Sequence, residues 1–504
     1  MAGEALKGKR VVLMACGSRG DVQPFLALTA GLVKAGVPTL VLTTANLVDF
    51  ASSLGALAKE VYPDARELMM DTPGLLECMK EGNILLFFKI WTDLNKRMFP
   101  EHFRQVSAGV EEFRPDVILA GGMCFSVADA IGAMRGIPVM RCDFTGFLKS
   151  GFAPSILNEP PWLPRWYHRA LNRLADYGAL KGQRDSQYDH FAEVLPEVLP
   201  FLPKNLEQLE IADEFRPEPM LIASSPLLAK KFEDVVGEAV ITGHWVVDEQ
   251  EQEERMRRGE ENFAGADDLA GFLASGPAPV YIGWGSMICV SSEFMACLAV
   301  RAVQLAGLRA VVLGGWAMLD EACLRGQPDS DELIEYARRN VLFAKAAPHE
   351  WLFQRCAATV HHGGAGTTAA ALRSGRPTII TPCGFDQPLL ARKVAASGAG
   401  VALPHLVKVT PKILADALRQ ATTDNTLITE AAELGAKLRQ EDGVATALRA
   451  LDDFFAKEVA TGAWPKKVAR MHAAMRKFES PGLLTRLGFL CAKLCTNSVK
   501  SQVA

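Results

Sequence analysis

The segment Ala358-Thr359-Val360-His361-His362-Gly363-Gly364-Ala365-Gly366-Thr367-Thr368 decides how this chain folds. Its apolar start reads as a strand ending at His361, and the residues from Gly363 to Arg373 read as a loop and helix. Glycines between them permit positive φ and let a ligand approach the backbone closely. The free N–H groups of the first helical turn face whatever lies in front, and their partial charge favours an anion such as a diphosphate. His362 adds a ring N–H, and Thr367 and Thr368 add hydroxyls. No Gly-Lys-Ser/Thr triplet follows, so kinase or ATPase chemistry is not expected. A plain strand-to-helix turn would use the glycines but has no need of two histidines before them.

The same alternation extends outward on both sides. Val280–Ile282 is read as a strand ending in Gly283-Trp284-Gly285-Ser286, and Phe294–Leu305 as a helix. Strands at Arg309–Leu313, Val341–Ala344 and Pro377–Thr381 follow, with helices at His349–Gln354 and Gln387–Ala396. Repeated β-then-α units predict a parallel, doubly wound sheet. The first half repeats the scheme. Val11–Ala15 is read as a strand, Cys16–Gly20 as a glycine-rich loop and Pro24–Lys34 as a helix, with strands at Thr39–Thr43, Val117–Ala120 and Pro138–Arg141. Two such domains leave a crevice between them, and open α/β sheets bind ligands beyond the carboxyl ends of their strands. Gly283 and Gly285 lack the third glycine of a dinucleotide fingerprint, which discourages a dehydrogenase reading.

Composition narrows the classes. The chain has 504 residues, 49% hydrophobic and 22% charged, with net charge −4. That balance gives no basic field for a nucleic-acid partner. The polar start leads into an apolar run too short for a secretion signal, and no apolar stretch reaches the roughly 18 residues needed to span a bilayer. The 11 cysteines are scattered without Cys-x-x-Cys spacing. Reduced thiols in a cytoplasmic protein are expected.

Beyond Thr368 comes Asp386-Gln387-Pro388. A carboxylate beside an amide suits two adjacent sugar hydroxyls. The competing reading is a helix N-cap with Pro388 in the first turn. These stretches, with Ala347-Pro348-His349, Tyr281 to Met287, Thr242-Gly243-His244-Trp245 and Gly17-Ser18-Arg19-Gly20-Asp21-Val22-Gln23-Pro24, resemble the UDP-glycosyltransferase superfamily and most of all its sterol glucosyltransferase branch. The resemblance spans roughly residues 10 to 420 and is poor over about 140 to 220, where Arg141-Cys142-Asp143-Phe144 replaces an aromatic, proline-rich stretch.

The resemblance implies an α/β protein of GT-B fold, two facing Rossmann-like doubly wound parallel-sheet domains with a C-terminal helical tail. The expected divisions are residues 1–247 for the acceptor, a charged exposed linker at 248–265, residues 266–450 for the nucleotide sugar, and a tail at 451–504 packed back on the first domain. By motif, His362 and Thr367 hold the diphosphate, Ser286 also contacts it, and Asp386 with Gln387 hold the sugar. The backbone near Ala347 faces the base. Ser18, Arg19, Gly20, His349, Gly364, Ala365 and Gly366 complete the expected donor-binding set. His349 has a second reading, as the opening residue of a short helix. Plant relatives carry tryptophan at about Ala346, so base stacking there is not implied. The implied co-substrate is UDP-glucose or a related nucleotide sugar. No cofactor is implied, and no Asp-x-Asp motif stands in a suitable loop for a metal.

Glycosyl transfer needs a base for the acceptor hydroxyl, attack opposite the leaving group, and stabilisation of the departing diphosphate. Asp21, after the first strand, is the candidate base. Burial would raise its pKa toward a useful value. The competing readings make it a helix N-cap or a partner of Arg19. A single displacement inverts the anomeric centre, so an α-linked donor gives a β-glycoside. The expected acceptor is a sterol or other hydrophobic alcohol. A polyketide, peptide or glycolipid acceptor is the alternative. A silent lipid- or nucleotide-binding protein is the reading from another class, which intact Asp21, His362, Asp386 and Gln387 oppose. In the tail, Val468, Met471, Met475 and Phe478 mark one amphipathic helix, and Leu483, Leu484, Leu487, Leu490, Cys491 and Leu494 a second. They are read as packing on the first domain, with peripheral membrane contact as the alternative.

Overall fold

The structure, a computed structural model, describes residues 3–81, 83–154, 157–247, 249–260 and 268–478. Seven strands form the first sheet: β1 (Val11–Ala15), β2 (Thr39–Thr44), β3 (Leu57–Tyr62), β4 (Val117–Ala120), β5 (Val139–Asp143), β6 (Met220–Ile222) and β7 (Ala239–Ile241). Six form the second: β8 (Val280–Gly283), β9 (Ala310–Leu313), β10 (Val341–Ala344), β11 (Thr359–His361), β12 (Thr378–Ile380) and β13 (Gly400–Ala402). Their orders are β3-β2-β1-β4-β5-β6-β7 and β10-β9-β8-β11-β12-β13. Pairing is parallel throughout, for example Val11 with Thr39 and with Val117. The expected fold class is therefore observed.

Both faces of each sheet are covered by helices, so the strands read as continuous apolar runs rather than alternating ones. In β1, Val11, Leu13 and Ala15 enter one core, while Val12 and Met14 enter the other. In the second sheet, Val280 and Ile282 face one core and Tyr281 the opposite one. The strand order reverses between β1 and β4, and again between β8 and β11. These are the switch points at which doubly wound sheets open a crevice for ligands.

Three features differ from the sequence reading. The first helix runs Arg19–Lys34 and starts before Pro24, because Ser18 caps it in a capping box with Asp21. Residues 249–257, expected as exposed linker, form a helix. Arg255–Glu251, Arg257–Glu253 and Arg258–Glu254 pairs four residues apart support it. Glu249 also accepts from Arg355 of the second domain at 2.8 Å.

The third is the return of the chain to the first domain at Gly443, short of the expected boundary at 450. The helix Gly443–Phe454 places Leu448, Leu451 and Phe454 in the first domain's core. At this return the two connections touch. Gly243 has φ +93, and a Cβ there would lie 3.2 Å from Gly443 Cα. A Cβ on Gly443 would meet the carbonyl of His244.

The first tail helix, Ala463–Arg476, buries Met471 and Met475 against Ala212. Asn205 and Gln208 donate to the carbonyls of Phe478 and Met475 at 2.9 and 3.1 Å. The second tail helix read from the sequence, at Leu483 to Leu494, lies outside the described residues. Among the described residues no helix is long and apolar enough to cross a membrane.

Candidate active site

The two switch points face each other. The first helix starts at Arg19 and the helix Ala365–Arg373 starts after Gly364, and a Cβ on Gly366 would lie 3.9 Å from the carbonyl of Gly20. Two helix N-termini therefore point into one crevice. Each presents free N–H groups there.

On the donor side, β11 ends at His361, paired with Gly283 of β8. The two histidines divide the work. His361 is fully engaged: Nδ1 accepts from Gly363 N–H at 3.0 Å and Nε2 lies 2.9 Å from Thr378 Oγ1. It holds the loop together. His362 is buried, and its Nδ1 has no partner among the described residues. Its ring sits between two glycines. A Cβ on Gly285 would stand 3.1 Å from Cε1, and one on Gly364 would press on Nε2. Burial lowers the His362 pKa to about 4, so the ring is neutral near pH 7 and carries one N–H.

The surrounding residues follow. Gly364, Ala365, Gly366 and Thr367 are half-buried along the crevice, and Ser286 is half-buried beside Gly285. Thr368, expected to add a second hydroxyl, is buried and lines a different cavity with His244 and Lys393. One residue along a helix turns the side chain by about 100°, which separates the two threonines. His349 stacks on Phe353 with centroids 4.6 Å apart, and its Nε2 lies 3.3 Å from the Tyr281 hydroxyl. Burial, with the Arg19 charge adding, lowers its pKa to about 3. It opens the helix His349–Leu352, as its second reading held, and Ala347 precedes it, half-buried. Beneath the donor helix, Arg373 forms a buried pair with Glu350 at 3.3 Å and donates to the carbonyl of Leu438 at 3.0 Å.

Asp386 is at the N-cap position of the helix Gln387–Ala396 but makes no side-chain cap hydrogen bond. The capping explanation of this carboxylate therefore fails. Gln387 is only half available. Its Oε1 accepts from Cys383 and Gly384 N–H at 2.8 and 3.2 Å, leaving the amide N–H pair as its group for a ligand.

On the acceptor side, Asp21 is not in an open loop. It stands in the first helical turn, and its Oδ2 accepts from Ser18 N–H and Ser18 Oγ, both at 2.8 Å. Burial raises its pKa, against the pull of the Ser18 bonds. Gly17 has φ +122, and a Cβ there would lie 2.7 Å from Asp21 Oδ2, so glycine is required beside this carboxylate. Arg19 is directed along the first domain: its Nε donates to Gln23 at 3.0 Å and its guanidinium lies 5.4 Å from the Phe50 ring centre. Ser18 is half-buried and Gly20 exposed at the crevice edge.

Two groups escaped the sequence reading. Asp143 ends β5, and its Oδ1 accepts from Thr145 N–H, Thr145 Oγ1 and Gly146 N–H at 3.0, 2.9 and 3.1 Å. Its position at a strand's carboxyl end was the available signal. Phe385, with φ +56, meets Phe87 and Phe88 of the first domain at 5.3 and 6.4 Å, closing the rim with aromatic contacts. Nothing in its sequence context marked it.

Asp386, Asp143 and Asp21 lie close enough to repel. Burial first, then those two carboxylates, push Asp386 up to about 7, with Lys393 opposing. Lys393 itself bonds across the domains to the carbonyl of Gly146 at 2.8 Å, and neighbouring Arg392 to that of Glu159 at 2.9 Å. The helix that carries Asp386 is thus fastened to the first domain.

A stability prediction follows from Asp386. Its folded pKa lies above its ordinary 3.8, so the folded state holds the proton more tightly. Folded stability then falls as pH rises from about 4 to about 7 and levels off above the folded value. Asp386→Asn is expected to melt higher than the wild type at pH 8 and together with it at pH 4. Parallel melting curves across that range would remove the carboxylate as the cause.

Known proteins match this arrangement. Residues 11–140 match the glycosyltransferase family 28 N-terminal domain, and residues 312–445 the erythromycin biosynthesis protein CIII-like C-terminal domain. The chain is 29% identical over 450 residues to a sterol 3-beta-glucosyltransferase of Candida albicans, covering 88% of this chain and 27% of that one. It is 28% identical over 457 residues to that of Saccharomyces cerevisiae, covering 88% and 35%. The chain thus spans about a third of the length of these relatives. Among solved structures, CalG4, the calicheamicin glycosyltransferase, superposes with a TM-score of 0.60 at 16% identity, over 90% of this chain and 99% of that one. The glycosyltransferase VinC in complex with dTDP gives 0.54 at 17% identity, over 88% and 99%. Two facing parallel-sheet domains, the matched domain at each end and the donor turn between them agree: the chain belongs to the UDP-glycosyltransferase superfamily of GT-B fold.

Proposed function

We propose that this chain is a glycosyltransferase that moves a hexose, with glucose the first choice, from a UDP-sugar to the hydroxyl of a sterol or other hydrophobic alcohol. The observation that carries the reading is the opposition of Asp21 and the glycine-rich donor turn across one crevice. The acceptor oxygen attacks the anomeric carbon from the Asp21 side, and its proton passes to the carboxylate. The bond to the diphosphate breaks on the opposite face, so an α-linked donor yields a β-glycoside. The leaving charge falls on the N–H groups of the Ala365–Arg373 helix and on His362, in a setting where fixed dipoles act strongly. The Asp386 carboxylate and the Gln387 amide hold sugar hydroxyls.

The sterol acceptor is supported by the relatives' names. The second reading, a polyketide, peptide or glycolipid acceptor, is favoured by the CIII-like C-terminal match and by neighbours such as the calicheamicin enzyme. A panel of UDP- and dTDP-sugars against a sterol and a macrolide aglycone, read by mass spectrometry, separates the two. No UDP release with any acceptor would leave the silent binding protein instead.

Positive dipoles stand here where other glycosyltransferases use a divalent ion. Turnover is therefore expected to persist unchanged in millimolar EDTA. Loss of activity in chelator, restored by Mg²⁺ or Mn²⁺, would replace this account of leaving-group stabilisation.

A further inference from the structure

The helix Arg165–Gln183 lies in the part of the chain where the resemblance to the family is poor. Its inner face is fixed by buried His168, whose Nδ1 lies 2.6 Å from Glu159, and by buried Asn172, which donates to the carbonyl of Ser150 at 3.1 Å. The outer face has no cover among the described residues. Trp166 is 67% exposed and Leu174 52%, eight residues apart on one stripe. Trp162, just before the helix, is 79% exposed. One residue earlier in each turn stand Arg165, Arg169 and Arg173, forming a parallel basic stripe. Arg165 lies 3.4 Å from the centre of the Phe152 ring, which stacks on Phe232, and Lys230 lies 5.1 Å from Phe232. Glu233, Asp234 and Glu210 pair with the three arginines, so the cations outnumber the acids by Lys230.

Large exposed aromatic rings flanked by arginines suit the boundary between water and lipid. There the rings enter the headgroup layer while the cations stay with phosphates. The chain beyond Phe478 does not complement this face in charge. It carries Arg486, Lys493 and Lys500 against Glu479 alone, the same sign as the patch.

We propose that this face, centred on Trp162 and Trp166, docks the protein on an anionic lipid bilayer. The adjoining segment at Glu159 is bonded to Arg392, on the helix that begins beside Asp386. Docking there sets the crevice at the membrane surface.

The test is sedimentation of the full chain with phosphatidylcholine vesicles containing about 30% phosphatidylserine, an anionic surface of the kind that attracts such cations. It uses neither donor nor acceptor, so its outcome is independent of the glycosyl-transfer reading. Trp162→Ser/Trp166→Ser is expected to lower the partition coefficient at least tenfold while leaving the melting temperature and the mass by light scattering unchanged. Added salt should weaken the wild type. Unchanged partitioning of the double variant would overturn the proposal. So would binding that disappears only on removal of residues 479–504, or a wild-type dimer that the double variant splits, which would make the face a contact with a second copy.

Discussion

Asp21→Asn is expected to lower turnover by about 10²- to 10⁴-fold, the range for loss of a positioned base, with donor affinity kept. The substitution is close to isosteric. The new side chain retains an oxygen for the Ser18 N–H and Oγ, so the cap of the first helix survives. Its amide nitrogen then faces the crevice, where it can donate but cannot take a proton. Stability should fall by no more than a lost cap implies, about 1 kcal/mol. Steady-state rates by UDP release, with UDP affinity by calorimetry, separate chemistry from binding. Turnover near that of the wild type would exclude Asp21 as the base and turn attention to Asp143, the other carboxylate on that wall.

Gly364→Ala and His362→Ala should each weaken UDP-sugar binding by about 10- to 100-fold, the loss expected for one charge-assisted hydrogen bond of about 1.5–3 kcal/mol. The cause is shared. A methyl on Gly364 pushes on His362 Nε2, and the ring has no room to retreat because Gly285 lies against its other edge. Removing the ring and displacing it should therefore not add. The double variant is expected to bind about as weakly as either single one. Additive losses would show that Gly364 acts through the backbone alone. Gly366→Ala makes the comparison, since its added methyl meets only the Gly20 carbonyl at 3.9 Å and leaves the His362 ring in place.

The fold was legible because both sheets are buried on two faces, which writes uninterrupted apolar runs such as Val11–Ala15 and Val280–Ile282 into the chain. The donor turn was legible for a related reason: glycines at such density are costly unless backbone must meet a ligand. What escaped depends on partners distant in sequence. Thr367 and Thr368 look equivalent in the string, and only the helix phase sends one to the crevice and the other to His244. Gln387 offers an acceptor on paper, yet Cys383 and Gly384 occupy it. The return at Gly443 was missed because its helix continues the apolar pattern of the helix before it, and only packing into the core that holds Leu28 and Leu32 assigns it to the other domain. The helix at 249–257 was missed because its support is charge pairing, with only Gln252 buried.

The contact between Gly243 and Gly443 has a mechanical outcome. The polypeptide passes between the two lobes at neighbouring points, like the spine of a book. Relative rotation is then confined to a single axis through that spine, and the lobes cannot slide past each other without parting two backbones that lie too close for a Cβ. One distance measured between labels across the mouth reports the whole opening coordinate.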